Sequence, residues 1–270
     1  MEEVLTIARQ VAKEAAVEAG RLAKVRFFSG FKTREKGDYG DLVTEVDEEA
    51  DRLIVNRIRE HFPDHRIRSE EQGMSGEDDD WMWWVDPLDG TNNYALGIPL
   101  YGVCITLFYR EQPVLGVIYD SHLEKVYTAE KGKGPCDGHP LHMRKKRSFP
   151  KMTVGWIQGH QVQKEREAMA LKQALDERFK RVLRLWAPSL LWCMVARGDV
   201  DGIVLYNSEG EDLYAGVMMV QEAGGAVFDF DGRSFDGMNP EPYLVACHPE
   251  NRDLFLHMIW EVLDREGKGV

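Results

Sequence analysis

The sequence predicts a mixed α/β protein in two lobes, an α+β lobe over residues 1–149 and an α/β lobe over 150–270. Three observations carry this. Apolar residues in the first part repeat at helical spacing twice and then give way to short strand-like runs separated by turn residues. Beyond Pro150 strands and helices alternate, the pattern of layered α/β structure. A length of 270 residues also stands where one hydrophobic core usually gives way to two.

Val4, Ala8, Val11, Ala15, Ala19 and Leu22 lie on one helical face, with charged residues between them, so the chain opens with a long amphipathic helix. A charged, glycine-punctuated stretch, Arg34 to Gly40, precedes a second helical pattern through Val46, Ala50, Leu53, Ile54 and Ile58. Thr44 and Asp47 have the spacing of a capping box at its start. The acidic run from Glu77 to Asp80 reads as an exposed loop, and Trp83-Trp84-Val85 behind it as a buried strand ending at Asp86, with Trp81, Trp83 and Trp84 packed around it. Strands are expected over Val103–Tyr109, Val114–Tyr119 and Lys125–Ala129, with a turn at Glu111-Gln112-Pro113. In the second part, strands are expected over Thr153–Ile157, Arg181–Leu185, Ile203–Tyr206, Ala226–Phe230 and Leu244–Cys247. Helices fall near Lys164–Leu175, Ser189–Ala196, Asp212–Glu222 and Asn251–Asp264.

Composition narrows the function. Hydrophobic residues at 43% and charged residues at 30% describe a chain able to fold, and a net charge of −12 repels polyanions, so nucleic acid is not an expected partner. The basic run Arg144 to Arg147 reads as a solvated loop between the lobes. Cys104, Cys136, Cys193 and Cys247 form no CxxC pair, which argues against disulfides and a zinc ribbon and for a reducing, cytoplasmic setting. Cys136, His139 and His142 are interleaved with glycine and proline and read as a turn rather than a zinc site. Neither a signal peptide nor a membrane span is expected.

Chemistry concentrates in Asp86-Pro87-Leu88-Asp89-Gly90-Thr91. Two carboxylates and a backbone carbonyl directed into one small volume are hard oxygen ligands suited to a divalent cation such as magnesium. Gly90-Thr91-Asn92-Asn93 then opens a short helix or turn whose N–H groups suit a phosphate. Asp-Pro and Asp-Gly are also ordinary turn dipeptides; the whole string behind an apolar strand is far more specific.

That string, continued through Asn93, resembles the signature of the inositol monophosphatase family, lithium-sensitive magnesium-dependent phosphatases. Asp41-Leu42-Val43-Thr44-Glu45-Val46-Asp47 looks like its first acidic motif. Ser69-Glu70-Glu71 resembles its Gly-Glu-Glu motif with serine for glycine, and Asp212-Leu213-Tyr214-Ala215-Gly216, followed by Glu222-Ala223-Gly224-Gly225, resembles its C-terminal motif. The resemblance runs from about residue 4 to 250 and implies a five-layer α/β/α/β/α sandwich, commonly a homodimer, with the site between the lobes. It implies that Glu70, Asp86 and the Leu88 carbonyl hold one Mg2+, that Asp86, Asp89 and Asp212 hold a second, and that Glu70 reaches a third. Asp47 and Thr91 would orient the attacking water, with Glu70 also counted in the catalytic group. Gly90 and Thr91 would present N–H groups to the phosphate, and Lys36 falls where the family often has a lysine near it. Asp89, Ser189, Glu209, Glu211 and Asp212 stand where the substrate would be met.

The chain departs from the family pattern where substrate is chosen. Glu211 replaces the tryptophan before the metal-binding aspartate, a carboxylate able to bind a cation, accept a substrate hydrogen bond or face solvent. Leu205 stands where inositol-specific members often have glutamate, with Glu209 at a different spacing, and Pro188-Ser189-Leu190 replaces Gly-Ser-Ala. Inositol monophosphate or a sugar phosphate is therefore one expectation; fructose bisphosphate, histidinol phosphate, a nucleotide bisphosphate or a dinucleotide phosphate are the others. A haloacid-dehalogenase-type phosphatase would need its two aspartates two apart, not three. A non-catalytic phosphosugar-binding protein would leave the clustered carboxylates unused.

Overall fold

The first helix buries a stripe of small residues, Ala8, Ala12, Ala15, Ala16, Ala19 and Ala23, which lets its backbone lie close against a sheet. At Gly20 a Cβ would stand 2.2 Å from the Tyr119 ring, so the closeness of the approach depends on that glycine. The computed structural model describes residues 1–36, 41–78, 80–143, 147–159, 161–162, 164–208, 210–238 and 242–264, without the side chains of Lys36 and Asp41.

In chain order the first part comprises α1 (Glu2–Ser29), β1 (Thr33–Lys36), β2 (Asp41–Thr44), α2 (Glu45–His61), β3 (Arg66–Ser69), β4 (Gly73–Ser75), β5 (Trp81–Asp89), α3 (Thr91–Ala95), β6 (Gly102–Tyr109), β7 (Gln112–Asp120), β8 (Lys125–Glu130) and β9 (Gly134–Cys136). β1 and β2 form an antiparallel pair, and β3 to β9 form a seven-stranded sheet ordered β4-β3-β5-β6-β7-β8-β9. Every pairing in that larger sheet is antiparallel except β3 with β5. The capping box is formed: the Thr44 side chain accepts from Val46 N and Asp47 N, and Asp47 accepts from Thr44 N. The hairpin turn lies earlier than expected. Arg110 and Glu111 take positive φ (48° and 62°), while Gln112 and Pro113 belong to β7. Pro113 sits beside a register shift, where a strand tolerates a missing N–H.

The second part comprises β10 (Thr153–Gln158), α4 (Arg166–Arg178), β11 (Arg181–Leu183), α5 (Pro188–Ala196), β12 (Gly202–Tyr206), α6 (Leu213–Glu222), β13 (Ala226–Asp229), β14 (Tyr243–Cys247) and α7 (Arg252–Val262). Its five strands are ordered β11-β10-β12-β14-β13, with β10 parallel to β11 and β12, and β14 antiparallel to β12 and β13.

Three apolar clusters define the layers. One lies between α1, α2 and the outer face of the seven-stranded sheet. A second fills the space between the two sheets, where α5 and α6 run. The third joins the far face of the five-stranded sheet to α4 and α7. This is the five-layer α/β/α/β/α sandwich. Among the described residues no helix is long and apolar enough to cross a membrane.

β5 is anchored in the outer cluster by Trp83, whose Nε1 donates to His65 Nδ1 at 3.1 Å. His65 stacks on Phe62 and Trp81 (ring centroids 4.6 and 5.5 Å). Burial pushes its pKa below the ordinary histidine value, with Asp78 and Asp64 opposing. The unfolded chain therefore takes up this proton first as pH falls, and the His65 contribution, full above about pH 6.5, is lost on acidification. Urea midpoints should fall more between pH 7 and pH 5 for the natural chain than for His65→Gln; equal falls would remove His65 as the cause.

Candidate active site

On a regular strand two residues three apart face opposite sides. Asp86 and Asp89 escape this because β5 does not end at Asp86, as the sequence reading had it, but continues through Asp89 across an irregularity. Asp86 pairs with Cys104 and Asp89 with Gly102, so three steps along β5 match two along β6. Cys104 and Gly102 share a face, and so do their two aspartate partners. Within the bulge Leu88 N donates to Asp86 Oδ1 at 2.9 Å, around the N–H that Pro87 lacks.

Glu70 follows β3, and its N–H donates to the Val85 carbonyl at 3.1 Å, carrying the parallel pairing to the residue beside Asp86. The loop bearing it is tied to α2. Ser69 Oγ donates to the buried Asp51 carboxylate, Gln72 Nε2 donates to the same carboxylate at 2.8 Å, and Gln72 N donates to Ser69 Oγ at 3.1 Å. One helical turn before Asp51, Asp47 accepts from Thr44 and, at 2.8 Å, from Thr91 Oγ1, which also lies 2.9 Å from the Leu88 carbonyl. Gly90 reverses the chain between Asp89 and α3 at φ 94°, and a Cβ there would stand 2.9 Å from the Leu100 carbonyl.

From the second part, Asp212 immediately precedes α6, and its carbonyl accepts a long contact from the buried Cys104 thiol (3.6 Å). Asp89 reaches across to α5, where its Oδ2 accepts from Ser189 N at 2.9 Å and from Ser189 Oγ. Glu70, Asp86, Leu88, Asp89, Gly90, Thr91, Glu211 and Asp212 line one cavity of about 760 Å³. Burial, then repulsion from Glu70, Asp89, Asp212 and Glu211, holds Asp86 well above the usual carboxylate range. Burial likewise raises Asp212, with Asp89 and Glu211 adding to it. Asp89 is pushed up to about 7 by burial, against the Ser189 hydrogen bonds.

The profile of the inositol monophosphatase family matches residues 1–264. The chain belongs to the inositol monophosphatase family. It is 32% identical over 232 residues to a protein of Aquifex aeolicus named fructose-1,6-bisphosphatase/inositol-1-monophosphatase, covering 84% of this chain and 86% of that one. It is also 32% identical to the Nus factor SuhB of Pasteurella multocida, covering 94% and 97%. The crystal structure of extragenic suppressor protein suhB from Bartonella henselae superposes with a TM-score of 0.87 at 26% identity, over 94% of this chain and 98% of that one.

The donor set of this family member suits a hard divalent cation: four carboxylates and a carbonyl, with no imidazole or thiolate among the expected ligands. Among the described residues the acidic side chains share a cavity without any three of them gathered closely enough to hold an ion as they stand. The fit is one of chemistry and shared exposure rather than of a preformed cage.

Other expected positions fall differently. Ser189 is fully buried and holds Asp89, while its neighbour Pro188 lines the cavity. Pro188 also occupies the first turn of α5, where its missing N–H is harmless. Leu205 is core, within β12. Glu209, the Lys36 side chain and Arg144 to Lys146 lie outside the described residues. Glu211 accepts from Arg68 Nε at 2.8 Å, and that guanidinium lies 4.1 Å above the Trp84 ring. The sequence reading found neither Arg68 nor Asp51. Asp51 stands four residues after Asp47 on the same helix face, a signal that was available; Arg68 meets Glu211 only through the fold.

Removing the Ser69 hydroxyl leaves the buried Asp51 short of a donor. Ser69→Ala should lower stability by about 1–3 kcal/mol, measured by urea unfolding, and an Asp51→Ala background should shrink that loss.

Proposed function

We propose that this chain is a magnesium-dependent phosphatase that hydrolyses a small phosphomonoester, such as an inositol monophosphate or a sugar phosphate, by direct attack of water. The observation that carries the reading is that Glu70, Asp86, Asp89 and Asp212 line one cavity together with Thr91, which bonds Asp47. The family supplies the phosphatase class, and the Aquifex relative's name supplies two candidate substrates.

In this reading Glu70, Asp86 and the Leu88 carbonyl hold one ion, Asp86, Asp89 and Asp212 a second, and Glu70 reaches a third. Bound there, Mg2+ would make a water more acidic and screen the phosphate from the carboxylates. The Thr91 hydroxyl has one proton and two acceptors within reach, Asp47 Oδ1 and the Leu88 carbonyl. Donation to the carboxylate is the stronger bond and turns the Thr91 lone pairs toward a water, whose proton can move to Asp47 through Thr91. Burial raises Asp47 above its ordinary value, against the hydrogen bonds from Thr44 and Thr91, which makes it a better proton acceptor. The N–H groups of Gly90 and Thr91 meet the phosphate, and Lys36 supplies charge near it. Homodimer assembly, lithium inhibition and a cytoplasmic setting belong to the same reading, the last consistent with four free cysteines.

Purified protein with Mg2+ should release inorganic phosphate from inositol 1-phosphate or a sugar phosphate, and EDTA should abolish release. Asp89→Asn should lower turnover by at least about a hundredfold, the scale for losing a positioned charged group, while keeping the native circular dichroism. Near-normal turnover in that variant would sink the assignment, and a trapped phosphoaspartate would replace it with a covalent mechanism.

A further inference from the structure

Glu211, which replaces the family's tryptophan, has no part in the chemistry described so far. It stands immediately before Asp212, lines the same cavity, and its charge repels both Asp86 and Asp212. A free carboxylate in that position would be one more oxygen donor for a cation. It is engaged instead by a residue that does not line the cavity: Arg68 donates from Nε to Glu211 Oε1 at 2.8 Å.

Two contacts hold that arginine. Arg68 lies opposite Trp84 in the parallel pairing of β3 with β5, and its guanidinium sits 4.1 Å above the Trp84 ring. The indole is buried and its Nε1 donates to the Met82 sulfur at 3.4 Å, which keeps the platform in place. Tyr214, in the first turn of α6, meets the same indole edge-on with ring centroids 5.0 Å apart. Each participant stands no more than two residues from an expected ligand: Arg68 from Glu70, Trp84 from Asp86, and Glu211 and Tyr214 from Asp212. The segments that bring these carboxylates are thus joined at one indole. A guanidinium suits the place, because it stays charged, stacks flat on an aromatic face and still directs N–H groups at a carboxylate. The Glu211 side chain is only 14% exposed, so the pair is shielded from water more than a surface ion pair would be.

We propose that Arg68 is a positioning residue that withholds the Glu211 carboxylate from the metal site, and that this keeps the site selective for Mg2+ over Ca2+. The proposal rests on the metal ligands of the phosphatase reading. Ca2+ takes about six to eight oxygens in flexible geometry, whereas Mg2+ demands a compact octahedron and gains little from a surplus ligand. With Glu211 held by Arg68, the cavity offers Glu70, Asp86, Asp89, Asp212 and the Leu88 carbonyl. With Glu211 released, it offers a further carboxylate next to Asp212, and the balance moves toward the larger ion. Loss of an ion pair that served stability alone would leave the preference between the two ions where it was.

The test is thermal unfolding of the purified chain, without substrate, over a range of Mg2+ or Ca2+ concentrations; the dependence of Tm on each ion gives its Kd. The ratio of the Kd for Mg2+ to that for Ca2+ should rise at least about fivefold in Arg68→Met, which keeps the stem over Trp84 without the charge, and in Arg68→Gln, a modest step on the scale over which carboxylate number tunes calcium sites. Adding Glu211→Gln to Arg68→Met should return the ratio to within about twofold of the natural protein, since no carboxylate is then set free. A ratio unchanged in both single variants, or one that stays raised in the double variant, overturns the proposal. If the natural protein binds neither ion, the proposal falls together with the metal ligands. If it binds them but releases phosphate from no phosphomonoester, the phosphatase reading fails alone, and the ratios still decide the role of Arg68.

Discussion

The rest of the structure answers to one constraint, the mutual repulsion of carboxylates gathered in a partly dehydrated cavity. Burial raises the proton affinity of Asp86 and Asp212, and repulsion adds to it, from Asp89 and Asp212 at Asp86 and from Asp89 at Asp212. Such a cluster does not assemble by itself in a medium of low dielectric constant. The chain meets the demand piecemeal: the Leu88 N–H holds Asp86, Ser189 holds Asp89 with two donors, and Arg68 pairs with Glu211. Local rules for stability are broken at the place where chemistry is expected, and satisfied around it.

Both parts of the chain contribute to the lining of one cavity. Strand β5 and the end of β3 supply Asp86, Asp89 and Glu70, while β10, the start of α5 and the residues after β12, Glu211 and Asp212 among them, supply the rest of the lining. The bond between Asp89 and Ser189 spans the two parts, so one of the reactive carboxylates also ties the layers together. Of the departures from the family pattern, those at Pro188, Leu205 and Glu211 fall in the second part of the chain, and the serine at position 69 falls in the first.

Much of this was legible in the sequence, and the limits have physical causes. Helical periodicity found α1, α2 and the later helices because each buries a continuous stripe, and the Thr44–Asp47 spacing gave the start of α2. Strands β2, β3, β4 and β9 escaped because they run for only three or four residues, and β1 because most of its residues are charged. The Asp86 to Thr91 string was readable as a cation and phosphate site because its residue types are close in sequence. The pairing of Arg68 with Glu211, 143 residues away, was not, since neither position announces the other. Ser189 looked like a substrate contact because of its place in the motif; its burial behind Asp89 is a property of packing.

The irregularity in β5 has a consequence for how this chain tolerates change. It works as a frame setter: the extra residue between Asp86 and Asp89 decides on which side of the sheet everything after it emerges. Substituting Pro87 or Leu88 alters a shape, but deleting either alters a parity. A chain shortened by one residue there could restore regular pairing with β6 and gain a smoother strand, at the expense of sending Asp89 to the face covered by α1 and α2. Length between the two aspartates is therefore under tighter constraint than the identity of the residues that fill it.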